Sequence, residues 1–261
     1  MDSLSGMGLL DGKKLLITGV LTDDSLAFGV ARLAQREGAE IALTGFGRGL
    51  RLTQRTARKL DVEPEVLELD ITDAAHGQAL RATLEQRWGQ VDGALHSIGF
   101  APEACLGDNF FAAEWQDVAV AVQVSAYSLR SLADIVTPLM PHGGSLVGLT
   151  FDATVSWPAY NWMGVAKAAL ESLNRYLARE LGPRQIRSNL VAAGPMKTIA
   201  AKSIPGFAAF ETEWVKRAPL GWDVTNSDGV SRACVALLSD WFPQTTGSII
   251  HVDGGYHSIG A

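Results

Sequence analysis

The sequence predicts an α/β protein, a doubly wound parallel sheet of seven strands with helices on both faces, built as a single domain over residues 1–261. Three observations carry that prediction. Runs rich in Val, Ile and Leu recur seven times, segments of helical length separate them, and no linker, composition break or internal period divides the chain. Strands covered on both faces read as continuous apolar runs, and parallel neighbours need a crossover long enough to hold a helix.

The first run, 14–19, closes on a glycine, and 25–37 follows as the first crossover. The second strand spans 40–46 and the third 65–70, after which Asp70-Ile71-Thr72 leads into a helix at 74–88. A fourth strand at 93–97 precedes the long helical stretch 115–139, and a fifth covers 144–151. The helix at 158–181 joins it to a sixth strand, 186–191, and the seventh is 248–252. Ligands of such sheets gather beyond the carboxyl ends of the strands. Between 198 and 221 the pattern is irregular and unusually apolar, broken by Pro205 and Gly206. It reads equally as a lid lined for an apolar ligand and as a helix packed on the core.

Composition narrows the function. A net charge of -6 with no Lys/Arg run argues against nucleic acid or an anionic membrane surface. No apolar run approaches the roughly 20 residues of a membrane helix. The first residues lack the basic and apolar regions of a secretory signal, so a cytoplasmic location is expected. Cys105 and Cys234 are the only cysteines and lie in no metal-binding spacing, so no metal is expected.

The strand ends carry the signals for a dinucleotide. Gly19 sits at the tight turn after the first run, and Ser25-Leu26-Ala27 opens the next helix, where backbone can approach a pyrophosphate. Only one of the usual glycines is present, so a plain strand-to-helix turn explains the motif by itself about as well. The second strand ends in Thr44-Gly45-Phe46, without the acidic residue that commonly holds a ribose 2′-hydroxyl; Phe46 is placed to stack on adenine. Arg48 and Arg51 keep NADPH open, though the reading favours NADH. Asp70 and Ile71 suit the adenine edge, with a helix-cap role for Asp70 as the alternative. In His96-Ser97-Ile98-Gly99, the last three lie where the adenosine ribose passes, while His96 reads as structural.

Tyr160 and Lys167 stand seven residues apart in Y-N-W-M-G-V-A-K. On one helix they fall about 20° short of two turns and about 10.5 Å apart along the same face. A phenol donor beside a cation suits reduction next to a nucleotide cofactor. An amphipathic edge is the competing reading of the pair alone.

The motifs G-V-L-T-D-D-S-L-A, H-S-I-G-F, P-A-Y-N-W-M-G-V-A-K, N-L-V-A-A-G-P-M-K-T and T-G-S-I-I-H-V-D-G-G together resemble the short-chain dehydrogenase/reductase superfamily, whose sheet is the Rossmann arrangement. Within it the chain is similar to bacterial enoyl-acyl-carrier-protein reductases of type II fatty-acid synthesis, because the usual Tyr-x3-Lys is widened to seven. Phe151, with A-Y-N-W-M, resembles the mycobacterial branch, although 198–221 is shorter than in that branch, which implies medium to ordinary acyl chains. The resemblance implies NADH-dependent reduction of a trans-2-enoyl thioester, with Tyr160 and Lys167 catalytic and Phe151 orienting the transfer. It implies Met163 and Met196 along the acyl slot, Ala193, Gly194, Pro195, Met196 and Thr198 against the cofactor, and Ser125 joined to Lys167 through water or making an interhelical contact. Acyl-carrier protein is the implied partner, met by Lys197, Lys202, Lys216 and Arg217, and a homotetramer the implied assembly. A carbonyl reductase using Thr150 with Tyr160, or a catalytically silent nucleotide-binding relative, are the alternatives.

Overall fold

In the computed structural model residues 8–202 and 204–260 are described, without the side chains of Ala200 and Lys202. Seven strands, β1 Lys14–Ile17, β2 Glu40–Gly45, β3 Glu65–Glu68, β4 Gly93–His96, β5 Gly144–Thr150, β6 Ile186–Ala193 and β7 Ile249–Val252, form one sheet in the order β3-β2-β1-β4-β5-β6-β7. Every neighbouring pair is parallel. The order reverses between β1 and β4, and the crevice beyond their carboxyl ends is where a doubly wound sheet takes its ligand.

The helices are α1 Leu26–Arg36, α2 Gly47–Ala57, α3 Ala74–Trp88, α4 Trp115–Val122, α5 Ser128–Val136, α6 Asn161–Leu181, α7 Ile199–Lys202, α8 Phe207–Arg217 and α9 Asp228–Leu238. Alternation along the strands divides the core into two layers, since successive side chains point to opposite faces. Leu15 and Ile17 pack with Phe28 and Val30 of α1 and Val230 and Val235 of α9. Leu16 faces the other way, towards Leu80 and Leu84 of α3 and Leu132 and Val136 of α5. Local chemistry sets the helix ends: Asp73 caps α3 by accepting from Ala75 N at 2.8 Å, and left-handed Gly89 stops it.

Several boundaries differ from the sequence reading. The first strand stops at Ile17 because Gly19, at φ 84°, turns the chain, and the second stops at Gly45 because Phe46 already caps α2. β6 runs to Ala193, two residues further than expected, paired throughout with β5 or β7. The helix of 115–139 is interrupted by a π turn at Gln123–Tyr127 and ends in a tighter turn at Thr137–Leu139. Ala159 and Asn161 both take positive φ, so α6 begins at Asn161 rather than at 158. In the 198–221 stretch Gly206, at φ 73°, separates α7 from α8, and α8 buries Phe210 and Trp214, which favours the packed-helix reading for that part. Among the described residues, no helix is long and apolar enough to cross a membrane. Cys105 and Cys234 are free buried thiols, and burial pushes Cys234 up to about 12.

Candidate functional site

The crevice begins at the β1 turn. A Cβ on Gly19 would stand 1.9 Å from the carbonyl oxygen of Ser97, so only glycine lets the β1 and β4 loops meet there. The Thr18 hydroxyl stitches the two loops, donating to Leu95 O at 2.9 Å and accepting from Ser97 N at 3.1 Å. Ser25 folds its hydroxyl back onto Leu21 N and Thr22 N, which holds the turn open ahead of the α1 N-terminus with its unpaired N–H groups. The Thr22 hydroxyl is buried in this turn without a partner, and a Cβ on Gly99 would meet only the Ser125 hydroxyl, at 3.8 Å. An orphaned donor in the turn and open space over Gly99 fit a dinucleotide.

Phe46 is 51 % exposed at the start of α2, edge-on to His76, so its face is available to an adenine. Asp70 commits one carboxylate oxygen to Thr72, both N and Oγ, in a local turn, while Asp73 is the cap of α3. His96 is fully buried, its Nε2 2.7 Å from the Ser128 hydroxyl, and burial with the nearby Lys167 charge pushes it down to about 3. It is a neutral core residue, as expected.

Tyr160 does not share a helix with Lys167; it is the N-cap of α6, held between two left-handed residues. Helical spacing therefore does not set where the Tyr160 ring points relative to Lys167, contrary to the expectation that both lie on one face of a single helix. The turn is fixed instead by Asn161 Nδ2 donating to Gly107 O at 3.1 Å and Gly107 N donating to Ala159 O at 2.9 Å. The ring is buried and meets Phe151 edge-on at 5.1 Å between centroids. Burial, and then the charge of Glu171, raise its pKa well above that of an ordinary phenol, so it stays a neutral donor.

Lys167 is half-buried on α6 and donates to Leu149 O at 3.0 Å near the end of β5. Burial lowers its pKa to about 8 against the opposing pull of Glu171. Glu171, one turn further, is only 6 % exposed and accepts from the Thr150 hydroxyl at 3.1 Å and Ala153 N at 3.2 Å. Burial raises its pKa, partly offset by those two hydrogen bonds. Thr150 thus faces Glu171 rather than standing free to polarise a ketone. Ser125 accepts from Phe100 N at 2.9 Å and donates to Phe100 O at 2.8 Å, tying down the β4 loop instead of bridging helices.

After β6, Gly194 N donates to Val252 O and Pro195 O accepts from the Trp222 indole at 2.8 Å. Met196 is buried, and Met163 follows the Tyr160 turn with its N–H on Tyr160 O. The Thr198 hydroxyl caps α7 by accepting from Ala201 N. Of the basic residues expected to meet a partner, Lys197 pairs with Glu211 at 2.7 Å and Arg217 donates to Gly260 O. The side chain of Lys202 lies outside the described residues.

Residues 19–257 match the family model described as enoyl-(acyl carrier protein) reductase. The chain belongs to that family. It is 47 % identical to the enoyl-(acyl-carrier-protein) reductase (NADH) of Mycolicibacterium smegmatis, over 95 % of this chain and 97 % of the relative. The Mycobacterium avium enzyme of the same name is 44 % identical over the same shares, and that of Aquifex aeolicus 39 % over 97 % and 94 %. The likeness to the mycobacterial branch expected from Phe151 and A-Y-N-W-M therefore extends along the chain.

Within this family frame, four features escaped the sequence reading. Glu171 is buried beside Leu170 on α6 while Ala168 of the same turn is exposed, so its sequence surroundings carry no signal that it turns inward. Trp157, Trp214 and Tyr256 come from three separate segments and pack around Phe151, a convergence that no local pattern signals.

Proposed function

We propose that this protein reduces the C2–C3 double bond of trans-2-enoyl thioesters carried on acyl-carrier protein, using NADH, in the cytoplasm. The observation that carries the reading is the buried, neutral Tyr160 phenol set against Phe151, with a half-buried Lys167 opposite the end of β5. Bound in the crevice, NADH supplies the hydride. The enoyl thioester accepts it at C3, its π electrons move onto the thioester oxygen as an enolate, and a proton from water added at C2 completes the saturated product.

Tyr160 donates to that oxygen as charge develops, which a phenol of raised pKa does without losing its own proton. Lys167 holds the nicotinamide ribose, and Phe151 is the wall that orients the transfer. With Gly194 N and Pro195 O already bonded, the Met196 N–H reads the carboxamide, and Thr198, free to donate, reaches the pyrophosphate. Gly19, Ser25 and Leu26 frame the pyrophosphate from the other side; Ser97, Ile98 and Gly99 line the ribose path; Phe46, Asp70 and Ile71 close on adenine. The 198–221 stretch covers the acyl slot, its α8 part packed on the core through Phe210 and Trp214, with Met163 and Met196 beneath it. The exposed Phe111, Trp115, Tyr127 and Tyr176 on and around α4–α6 supply the apolar faces of a homotetramer.

The alternative of a 3-oxoacyl reductase is disfavoured by Thr150, whose hydroxyl is bonded to Glu171. Following NADH loss with crotonyl and acetoacetyl thioesters separates the two. Turnover of crotonyl alone is expected; turnover of acetoacetyl alone would overturn the proposal.

A further inference from the structure

An acyl tail leaving the reacting carbons on the lid side meets the Phe151 ring first. Behind it stands Trp157, whose ring lies 5.1 Å from Phe151, 5.0 Å from Trp214, 5.9 Å from Tyr256 and 6.1 Å from Phe210, all between centroids. Trp157 thus packs against four rings of one aromatic cluster. Two features hold the wall in place. The Trp157 indole donates to Asp152 O at 2.6 Å, in a loop where Asp152 also binds Thr154, so its rotamer is locked. Tyr256 lies stacked on Trp214 at 3.8 Å, with the Arg217 guanidinium over its ring. Its own turn is pinned by buried Asp253, which accepts from Gly255 N and His257 N. The C-terminal segment is thereby built into the far wall of the slot.

A cavity of about 530 Å³ opens beside Tyr160 between the 107–110 loop and the start of α6, bordered by Gly107, Asp108, Val155, Asn161 and Gly164 and closed in part by Trp157 itself. This is room for the arm that carries the thioester. A second cavity of about 500 Å³, beside Lys13, Asp92, Arg187 and Asp240, has its charges satisfied by the Lys13–Asp240 pair and by Arg187 on two carbonyls.

We infer that Trp157, braced by Phe210, Trp214 and Tyr256, is a fixed stop that sets the length of acyl chain this protein accepts, with short and medium chains fitting in front of it and long chains excluded. The inference rests on the enoyl-thioester reading and names its specificity-determining residues. Each methylene that must displace a packed ring costs about tenfold or more in specificity, the scale on which one methylene is discriminated in an apolar pocket. Met at position 157 would keep an apolar side chain while giving up the rigid indole.

The test is the rate of NADH oxidation by the full chain with trans-2-enoyl-coenzyme A thioesters of 4, 8, 12 and 16 carbons. Wild type, Trp157→Met, Phe210→Leu and Val155→Trp are compared as ratios of kcat/KM. The wild-type ratio of 16 to 4 carbons is expected below about one tenth, rising about tenfold in Trp157→Met and less in Phe210→Leu. Val155→Trp, which narrows the open cavity, leaves that ratio in place. Wild-type rates that climb through 16 carbons overturn the stop. So does a ratio unmoved in both aromatic variants that still reduce the 4-carbon substrate, or one that follows Val155→Trp instead. If wild type reduces none of the four thioesters, the enoyl-reductase reading fails and takes this inference with it.

Discussion

The two ends of the site are built by different means. The dinucleotide end is made of backbone: the Gly19 turn, the α1 N-terminus, the Thr18 stitch and the open face of Gly99, each set by a few consecutive residues. The end against α8 is made of side chains, a cluster in which Phe151, Trp157, Phe210, Trp214 and Tyr256 arrive from four separate stretches of chain. Backbone sites tolerate little change but can be shared among many substrates, because they recognise a common cofactor. A side-chain wall can be recut one ring at a time without disturbing the sheet beneath it.

That contrast is open to direct attack. The largest effect is expected at Gly19→Ala, where a methyl would collide with Ser97 O at a positive φ. A loss of about 2 kcal/mol or more in unfolding free energy, with cofactor binding abolished, is expected by denaturant titration and NADH fluorescence. A near-silent change would show that the two loops do not need this approach. Next is Lys167→Ala: if Lys167 holds the ribose as proposed, the loss of those charge-assisted bonds should raise the NADH Kd about tenfold to a hundredfold. An unchanged Kd would leave Lys167 with no part in holding cofactor.

Tyr160→Phe should lower kcat about tenfold to a hundredfold with NADH affinity retained, since the oxyanion donor is lost but the ring packing against Phe151 is kept. Full activity in steady-state assays would remove Tyr160 from catalysis. Glu171→Ala strands the Thr150 hydroxyl and Ala153 N–H and should cost about 2 kcal/mol in stability, whereas Glu171→Gln should cost less by keeping an acceptor. Equal losses from both would point to the charge rather than the hydrogen bonds.

A further effect is a matter of pH. Lys167 titrates near 8 in the folded protein and near 10.5 when unfolded, so between those values the unfolded chain holds a proton that the folded one has released. Cofactor-free stability therefore rises with pH across that window, and the contribution is lost as pH falls through about 8. The melting temperature of wild type relative to Lys167→Met should climb from pH 8 to 10; a flat difference would show that Lys167 is not desolvated.

The same division explains what the sequence disclosed. Seven strands, their parallel order and the Gly19 and Gly99 positions were legible because each is written in a short run: apolar strands, helical crossovers, a glycine at a turn. The geometry of the Tyr160–Lys167 pair was not legible, since the left-handed Ala159 and Asn161 that displace Tyr160 from the helix are fixed by the distant Gly107 loop. Glu171 looked like one more polar residue on a long helix, and only the fold shows it turned inward to Thr150. The aromatic wall was illegible because Tyr256 and Trp157 meet only when the C-terminal turn closes over α8.

The central claim is that hydride passes from NADH to C3 of an enoyl thioester beside Tyr160. Turnover of crotonyl-coenzyme A with NADH deuterated at the transferring position of C4 tests it most directly. The account predicts butyryl thioester carrying one deuterium, located at C3 by nuclear magnetic resonance. An unreacted enoyl thioester, with deuterium found instead on the hydroxyl-bearing carbon of a product made from the 3-oxoacyl thioester, would contradict it.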